Sequence, residues 1–319
     1  MTTPIFIFSL PRSGSTLLQR LLLASDECAT LGEPGFLLRF LNNHPTTQRL
    51  APYWESLLET SFQDMRSEWP EFDATYQSGI RDLADSIYTG LAGGKRYFID
   101  KTPRYSVIAE QIVATFPQAK FIVLWRHPAA VAVSISNSYR DGIWALKDFE
   151  IDLFAGLEQL HSLTANHAEK LLQVRYEDLV AAPATELQKI GNYLEIENLA
   201  AVAEGPLPSS AKGQLGDQTG RVKYSEISPT SSGQWTTSIN NWYRRKWLRQ
   251  YFSGRRSAQL KALGYTLDQA CWEGTPHILR GCRDCLGSIL RSNRRSRSPK
   301  SKRLEHRYAR EFGHHISFR

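Results

Sequence analysis

An apolar run that ends in a small-residue turn and opens into a helical pattern is the feature that most constrains this chain. Residues 4–18 read PIFIFSLPRSGSTLL. The run is typical of a buried strand, and the leucines after the turn are typical of a helix. The first N–H groups of a helix have no intrahelical partner and carry partial positive charge, so they favour an anion. The sequence therefore predicts a phosphate-binding turn, in which Gly14 leaves room for a phosphate oxygen.

Polar side chains of the same turn add to this prediction. Arg12, Ser15 and Thr16 can supply charged and hydroxyl donors, and we assign the stretch from Arg12 through Ser13 to Thr16 as the binding loop. The nucleotide-kinase form of such a loop requires Gly-x-x-x-x-Gly-Lys-Ser/Thr, which this chain lacks, so ATP is not the first expectation. An ordinary strand-to-helix turn with a capping serine is the alternative.

A second segment repeats the strand-to-helix pattern. Residues 121–138 read FIVLWRHPAAVAVSISNS, in which a buried-strand run ends at Arg126 and Ser134 follows eight residues later. Alone, Arg126 would be interpreted as a solvated charge at the end of a strand. Paired with the first loop, it is predicted to bind an anionic ligand.

Together, the two segments resemble the sulfotransferases, and two shorter pieces extend the resemblance over roughly residues 4–250: DKTPRY at 100–105 and RYEDL at 175–179. The similarity is closest to the branch that includes protein-tyrosine sulfotransferases and bacterial sulfotransferases. It implies that the first loop binds the 5′-phosphosulfate of 3′-phosphoadenylyl sulfate and that Arg126 and Ser134 bind its 3′-phosphate. It also implies that Tyr176 lies against the adenine ring, whereas a half-buried sheet aromatic is the alternative for this residue.

The resemblance also implies three catalytic residues. Arg12 would stabilise charge on the 5′-phosphate and leaving group, in a position where relatives carry lysine; arginine supplies charge and directed hydrogen bonds but no proton. Lys101 would supply a mobile cation at the sulfuryl group, and a surface lysine is its alternative. Glu33 would be the general base, and a carboxylate placed for a helix dipole is its alternative. No metal is implied.

Two further regions are assigned on weaker patterns. The loop at roughly 205–235 is rich in Gly, Pro, Ser and Thr, and the resemblance implies that it closes on the 3′-phosphate. The candidates there are Arg221, Lys223, Ser232 and Gly233. Aromatic residues are frequent in residues 34–95, where they predict either a cover over the acceptor or the packing of helices on the sheet.

Alternating patterns predict the fold. Strand-like runs at about 4–10, 96–100, 119–125 and 171–176 alternate with helical patterns at 14–25, 105–116, 127–140, 151–170 and 182–194. This order predicts an α/β protein with a P-loop-like parallel sheet flanked by helices. Ligands of such sheets bind beyond the carboxyl ends of the strands, where all four motifs lie. We expect a single domain over residues 1–265 and a basic, partly disordered extension over 266–319.

The net charge of +7 belongs to that extension. Residues 280–319 carry 12 Lys and Arg against 3 Asp and Glu, which leaves 27 against 29 for residues 1–279. The stretch 291–304, RSNRRSRSPKSKRL, is poor in apolar residues and is predicted to be disordered. It is interpreted as a solubilising tail or as a weak contact for an anionic membrane or another polyanion.

Four cysteines and the absence of a signal-peptide pattern predict a cytoplasmic, reduced protein. Cys282 and Cys285 form a single CxxC pair, which without a second spaced pair is interpreted as spare thiols rather than a zinc site.

The sequence as a whole predicts a sulfotransferase that acts on a hydroxyl of a small molecule, lipid or glycan. A P-loop phosphotransferase or nucleotide hydrolase is the first alternative, and Asp100 would then be its magnesium ligand. A non-catalytic binding protein on the same fold is the second.

Overall fold

The structure is a computed structural model that describes residues 2–41, 52–206, 227, 233–267, 272 and 276–296. Side chains are described throughout these ranges except at 39, 52–59 and 291–296.

One parallel sheet organises the chain. Its five strands stand in the order β2-β3-β1-β4-β5, and every neighbouring pair is parallel. The strands are β1 (Thr3–Ser9), β2 (Cys28–Thr30), β3 (Tyr97–Asp100), β4 (Lys120–Trp125) and β5 (Leu171–Arg175). The prediction of a helix-flanked parallel sheet is thereby confirmed.

Helices connect and cover the strands. The α-helices are α1 (Ser15–Leu23), α2 (Leu37–Phe40), α3 (Pro52–Glu68), α4 (Phe72–Ala92), α5 (Ala109–Thr115), α6 (Pro128–Tyr139), α7 (Leu157–Asn166), α8 (Tyr176–Ala181), α9 (Pro183–Leu194), α10 (Trp242–Tyr251), α11 (Gly254–Ala262) and α12 (Ile278–Ser296). Turns of 3₁₀-helix cover Pro103–Ile108, Lys147–Phe149, Leu199–Glu204 and Thr236–Ser238, and a π-helical turn covers Ile151–Gly156.

The core lies on both faces of the sheet. Alternate residues of a strand point to opposite faces, so Phe6 and Phe8 enter one apolar cluster while Ile5 and Ile7 enter the other. All four side chains are fully buried. On the first face, the rings of Phe6 and Phe8 each stack about 6 Å from the ring of Phe121 on β4. This burial on both sides explains why the strands are continuous apolar runs.

One strand was not predicted from the sequence, and one expectation needs correction. The short strand Cys28–Thr30 was not predicted, because three residues carry too little pattern to indicate a strand. Helix α12 runs to Ser296, so the expected disorder of 291–304 is wrong for its first six residues. Arginine is a good helix former, and here it extends a helix that is already packed on the domain. Residues 297–304 lie outside the described part of the chain.

In the part of the chain that the structure describes, none of the helices combines the length and the apolar character needed to cross a bilayer.

Candidate active site

The order of the strands brings the candidate residues to one edge of the sheet. Because all five strands are parallel, their carboxyl ends meet at the same edge. The loop from Leu10 to Gly14 follows the central strand β1, Lys101 follows β3, and Glu33 lies three residues beyond β2. On the other side of the loop, Arg126 follows β4 and Tyr176 follows β5.

The loop after β1 has an unusual backbone. Arg12 has φ 65° and Gly14 has φ 91°, both in the left-handed region that side chains disfavour. Gly14 caps the N-terminus of α1, and the ring of Tyr176 lies directly against it. A Cβ atom at Gly14 would stand 2.3 Å from Cδ2 of Tyr176, so only glycine fits there. Because α1 begins directly after this turn, its first N–H groups lie at this edge of the sheet.

Replacing Gly14 by alanine is expected to destabilise the protein by about 1–3 kcal/mol, because the new Cβ must displace the Tyr176 ring and occupy a disfavoured φ. Chemical denaturation measures this loss. Gly90→Ala is the matched control: Gly90 lies within α4 with no atom within 4 Å of an added Cβ, so its stability should stay equal or rise slightly. A G14A protein as stable as wild type would contradict the described packing of Tyr176 on the loop.

The residues after β4 contact this loop. Arg126 donates a hydrogen bond from Nη1 to the carbonyl oxygen of Arg12 at 2.9 Å. The Arg126 guanidinium also lies 4.3 Å from the centre of the Tyr176 ring. Nε of Arg12 donates to Oγ of Ser134 on α6 at 3.2 Å. These contacts join Arg12 of the loop to Arg126, Ser134 and Tyr176 in one cluster. Arg12 and Arg126 are 114 positions apart in the sequence.

Tyr176 is 7 % exposed, and its ring supports both the loop and Arg126 in this structure. Its predicted role against an adenine ring stays a prediction. Ser13 and Ser15 are buried in the wall of the loop.

A second cluster lies on the opposite side of the loop. Nζ of Lys101 donates to Oε1 of Glu33 at 2.7 Å and to Oγ1 of Thr16 at 3.4 Å. The Lys101 side chain is 1 % exposed and that of Glu33 is 25 % exposed. The interpretation of Lys101 as a surface lysine is therefore wrong. The side chain of Glu33 is only partly buried, so a part of it remains accessible to solvent.

Asp100, the residue before Lys101, is held in the core by hydroxyl groups of the chain. Its carboxylate is fully buried and accepts hydrogen bonds from Tyr88 at 2.7 Å, Tyr105 at 3.0 Å and Thr102 at 3.1 Å. Burial raises the pKa of Asp100 from 3.8 to about 6, although the three hydroxyl donors and Lys101 oppose this rise. Because hydroxyl groups of the chain occupy its oxygens, Asp100 does not fit the magnesium-ligand reading.

The raised pKa of Asp100 makes stability depend on pH. The folded state binds a proton more tightly than the unfolded state, so the contribution of Asp100 is fully present below pH 3.8 and is lost as the pH rises through about 6. We expect Asp100→Asn to remove this dependence. The free energy of unfolding of wild type relative to D100N should fall by up to about 3 kcal/mol from well below pH 3.8 to well above pH 6, measured by urea denaturation. A difference that stays constant with pH would contradict the buried, proton-binding state of Asp100.

Sequence reasoning missed the residues that fix the catalytic candidates in place. The Gln19 side chain on α1 is 2 % exposed and donates to Oγ1 of Thr30 at 2.7 Å and to the carbonyl oxygen of Gly32 at 2.8 Å, which holds the segment that carries Glu33. A buried glutamine within an apolar helix face was the available signal.

Hydrogen bonds from a distant part of the chain also hold the segment after Arg126 in place. Glu177 accepts from the backbone N–H of His127 at 2.9 Å and from the hydroxyl of Tyr265 at 3.0 Å. His127 stacks 4.3 Å from Trp235 and contacts the carbonyl oxygen of Thr266 through Nε2. The RYEDL motif therefore joins the start of α6 to the C-terminal helices.

The loop at roughly 205–235 is described only in part. Gly233 is exposed, and its carbonyl oxygen accepts from the Thr236 hydroxyl at 3.0 Å. Trp235 follows two residues later, and its ring stacks on His127, the residue after Arg126. Arg221, Lys223 and Ser232 lie outside the described residues.

Several aromatic residues of 34–95 pack helices together. Phe62 of α3 makes edge contacts with Phe72 and Tyr76 of α4, and the Tyr76 hydroxyl donates to the carbonyl oxygen of Phe40. These contacts favour helix packing for these side chains over a cover on an acceptor.

Comparison with known proteins assigns the chain to a class of transferases. Residues 4–200 match the model of the sulfotransferase family, which is well over half of the chain. The chain belongs to the sulfotransferase family.

Similar proteins agree with this assignment. The chain is 30 % identical over 136 residues to the nodulation protein NoeE of Sinorhizobium fredii, a match that covers 42 % of this chain and 31 % of that protein. The chain thus matches about a third of the length of that curated relative.

Two of the matching solved structures show the same fold. The sulfotransferase domain of the Synechococcus olefin synthase is 25 % identical with a TM-score of 0.55, over 84 % of this chain and 96 % of that one. The sulfotransferase domain of the curacin biosynthetic pathway is 21 % identical with a TM-score of 0.53, over 84 % and 99 %.

Proposed function

We propose that this protein transfers a sulfuryl group from 3′-phosphoadenylyl sulfate to a hydroxyl group of a small molecule, lipid or glycan. The observation that carries the proposal is the 2.9 Å contact between Arg126 and the backbone of Arg12. It joins the ends of two neighbouring strands into one cationic surface. A donor with phosphates at both the 3′ and 5′ positions of its ribose requires two such anion sites side by side.

The loop would bind the 5′ end of the donor. The N–H groups of Gly14, Ser15 and Thr16 at the start of α1 suit the 5′-phosphate, and the Thr16 hydroxyl adds a donor toward the Lys101 side. Arg126 and Ser134 suit the 3′-phosphate. Arg12 belongs to the loop and also contacts Ser134, so its charge would act on both phosphates.

The Glu33 and Lys101 pair would carry out the transfer. Glu33 accepts the proton of the acceptor hydroxyl, whose oxygen forms the new bond to sulfur. The bond between sulfur and the bridging oxygen breaks, and adenosine 3′,5′-bisphosphate leaves with the electron pair. Negative charge grows on the bridging and sulfuryl oxygens during this step, and the ammonium group of Lys101, whose side chain is buried at this edge of the sheet, would stabilise it.

The two alternatives are less well supported. A phosphotransferase needs a metal-binding carboxylate, and both oxygens of Asp100 are engaged by hydroxyl groups of the chain. A non-catalytic binding protein on this fold predicts that Glu33 and Lys101 point away from the loop. Lys101 instead contacts both Glu33 and Thr16 of the loop.

A transfer assay tests the proposal. The protein is incubated with radiolabelled 3′-phosphoadenylyl sulfate and a panel of phenols, sugars and glycolipids, with a chelator and without magnesium, while calorimetry measures the binding of adenosine 3′,5′-bisphosphate. We expect binding, and transfer that survives the chelator. Magnesium-dependent transfer of phosphate from ATP, or no binding of the bisphosphate, would overturn the proposal.

A further inference from the structure

Helix α12 carries an apolar face that points away from the domain. Five large side chains on it are 50–85 % exposed: Ile278, Leu279, Leu286, Ile289 and Leu290. At about 100° per residue, these positions fall within an arc of about 120°, which makes one continuous stripe along the helix. Exposed apolar patches of this kind mark surfaces that bind another partner.

The opposite face of α12 is fixed to the domain. Asp284 is 2 % exposed and accepts from the backbone N–H of Trp144 at 3.0 Å and from Nδ2 of Asn241 at 2.9 Å. Nε of Arg244 pairs with the same carboxylate at 2.7 Å. A Cβ atom at Gly281 would lie 2.2 Å from Nε1 of Trp242, so the helix approaches α10 as closely as glycine allows. These contacts set the rotation of the helix, and the apolar stripe is therefore held facing outward.

Positive charge lies next to the stripe. Arg280 and Arg283 lie on α12 itself. Together with Arg244 and Asp284, they line a cavity of about 310 Å³. Arg244 pairs with Asp284, whereas Nη2 of Arg283 donates to the backbone carbonyl oxygen of Asp141 at 3.3 Å. Both Arg280 and Arg283 are exposed to solvent. Helix α12 itself carries five Arg against one Asp.

We propose that the outward face of α12 docks on the surface of an anionic lipid bilayer. The helix would lie in the plane of the headgroups, with the stripe inserted among the acyl chains and Arg280 and Arg283 on lipid phosphates. An amphipathic helix with a strongly basic polar side has the composition of known interfacial helices. A second copy of this chain is disfavoured as the occupant, because two helices that each carry five Arg against one Asp would be brought together.

Another exposed apolar stripe in the protein lacks this charge. Leu83 and Leu91 of α4 are 44 % and 43 % exposed, and the acidic residues Asp82 and Asp85 accompany them on that helix. This stripe should be repelled by anionic lipid, so it provides a matched control of similar exposed apolar area.

Vesicle co-sedimentation of the full chain tests the proposal. The vesicles are phosphatidylcholine, alone or with about 30 % phosphatidylserine. We expect binding to the anionic vesicles only, and Leu286→Gln with Ile289→Gln should lower the partition coefficient by about tenfold or more. Leu83→Gln with Leu91→Gln should change it by less than about twofold. Both pairs are exposed, so circular dichroism should show folded variants.

Three results would overturn the proposal. Binding that is equal in wild type and the L286Q/I289Q variant would show that basic residues alone attract the lipid. Absence of binding to the anionic vesicles would exclude a bilayer as the partner. A concentration-dependent dimer in sedimentation velocity that L286Q/I289Q abolishes, without vesicle binding, would assign the face to a second copy.

A further variant tests the arginine contacts. Arg280→Gln with Arg283→Gln should lower the ratio of the partition coefficient on anionic vesicles to that on neutral vesicles. An unchanged ratio would count against the arginine contacts.

Discussion

Replacing Glu33 by glutamine is expected to lower kcat for sulfuryl transfer by about 10²–10⁴-fold, the usual contribution of a general base. Glutamine keeps the shape of the side chain and can still accept a hydrogen bond from Lys101, but it cannot take the proton of the acceptor. Because Glu33 contacts Lys101 rather than the Arg126 cluster, affinity for the donor should stay nearly constant. Single-turnover kinetics with saturating donor measures the chemical step directly.

Glu27→Gln is the matched control for this variant. Glu27 lies just before β2, at the opposite end of that strand, where it pairs with Arg96 at 3.0 Å. Its loss should leave kcat unchanged. Equal turnover in wild type and E33Q would assign the general base to another group.

Arg126→Ala is expected to weaken binding of the donor by about 1.5–3 kcal/mol, or roughly 10- to 150-fold, because a charge-assisted contact with a phosphate is lost. The variant should also show a raised KM for the donor. Its kcat at saturation should fall much less than that of E33Q, since Glu33 and Lys101 lie on the other side of the loop.

Arg175→Ala provides the comparison for this second prediction. Arg175 also ends a strand, β5, and its guanidinium also lies over a tyrosine ring, that of Tyr265 at 4.9 Å. It does not share the Arg126 contact with the Arg12 carbonyl oxygen. Donor affinity in R175A should stay close to that of wild type. An equal loss in R126A and R175A would show that either change acts through general stability.

The ends of four strands were predictable, because each of these strands is an apolar run that is visible in the local sequence. Apolar runs gave the positions of β1, β3, β4 and β5 to within about one or two residues. The rule that ligands bind beyond the carboxyl ends of parallel strands then placed the loop and Arg126 at one edge. The order of the strands in the sheet cannot be predicted from such local patterns. Because β3 and β4 lie on either side of β1, Lys101 and Arg126 lie on opposite sides of the loop.

The partners of the site residues were not predictable for a related reason. Lys101 follows a strand and is charged, so its sequence context indicates a surface residue as readily as a buried one. Its burial depends on Tyr88 and Tyr105, which hold the neighbouring Asp100 from two other elements. Likewise, Gln19 fixes the segment before Glu33 from α1. Such contacts join distant parts of the chain, and only the fold brings their atoms together.

The most direct test of the account compares two ligands that differ by one phosphate. Calorimetry measures adenosine 3′,5′-bisphosphate and adenosine 5′-monophosphate binding to wild type and to R126A. If the ends of β1 and β4 bind the two phosphates of one donor, R126A loses affinity for the bisphosphate and binds the monophosphate as wild type does. Equal loss for both ligands, or no loss for either, would contradict the assignment of Arg126 to the 3′-phosphate.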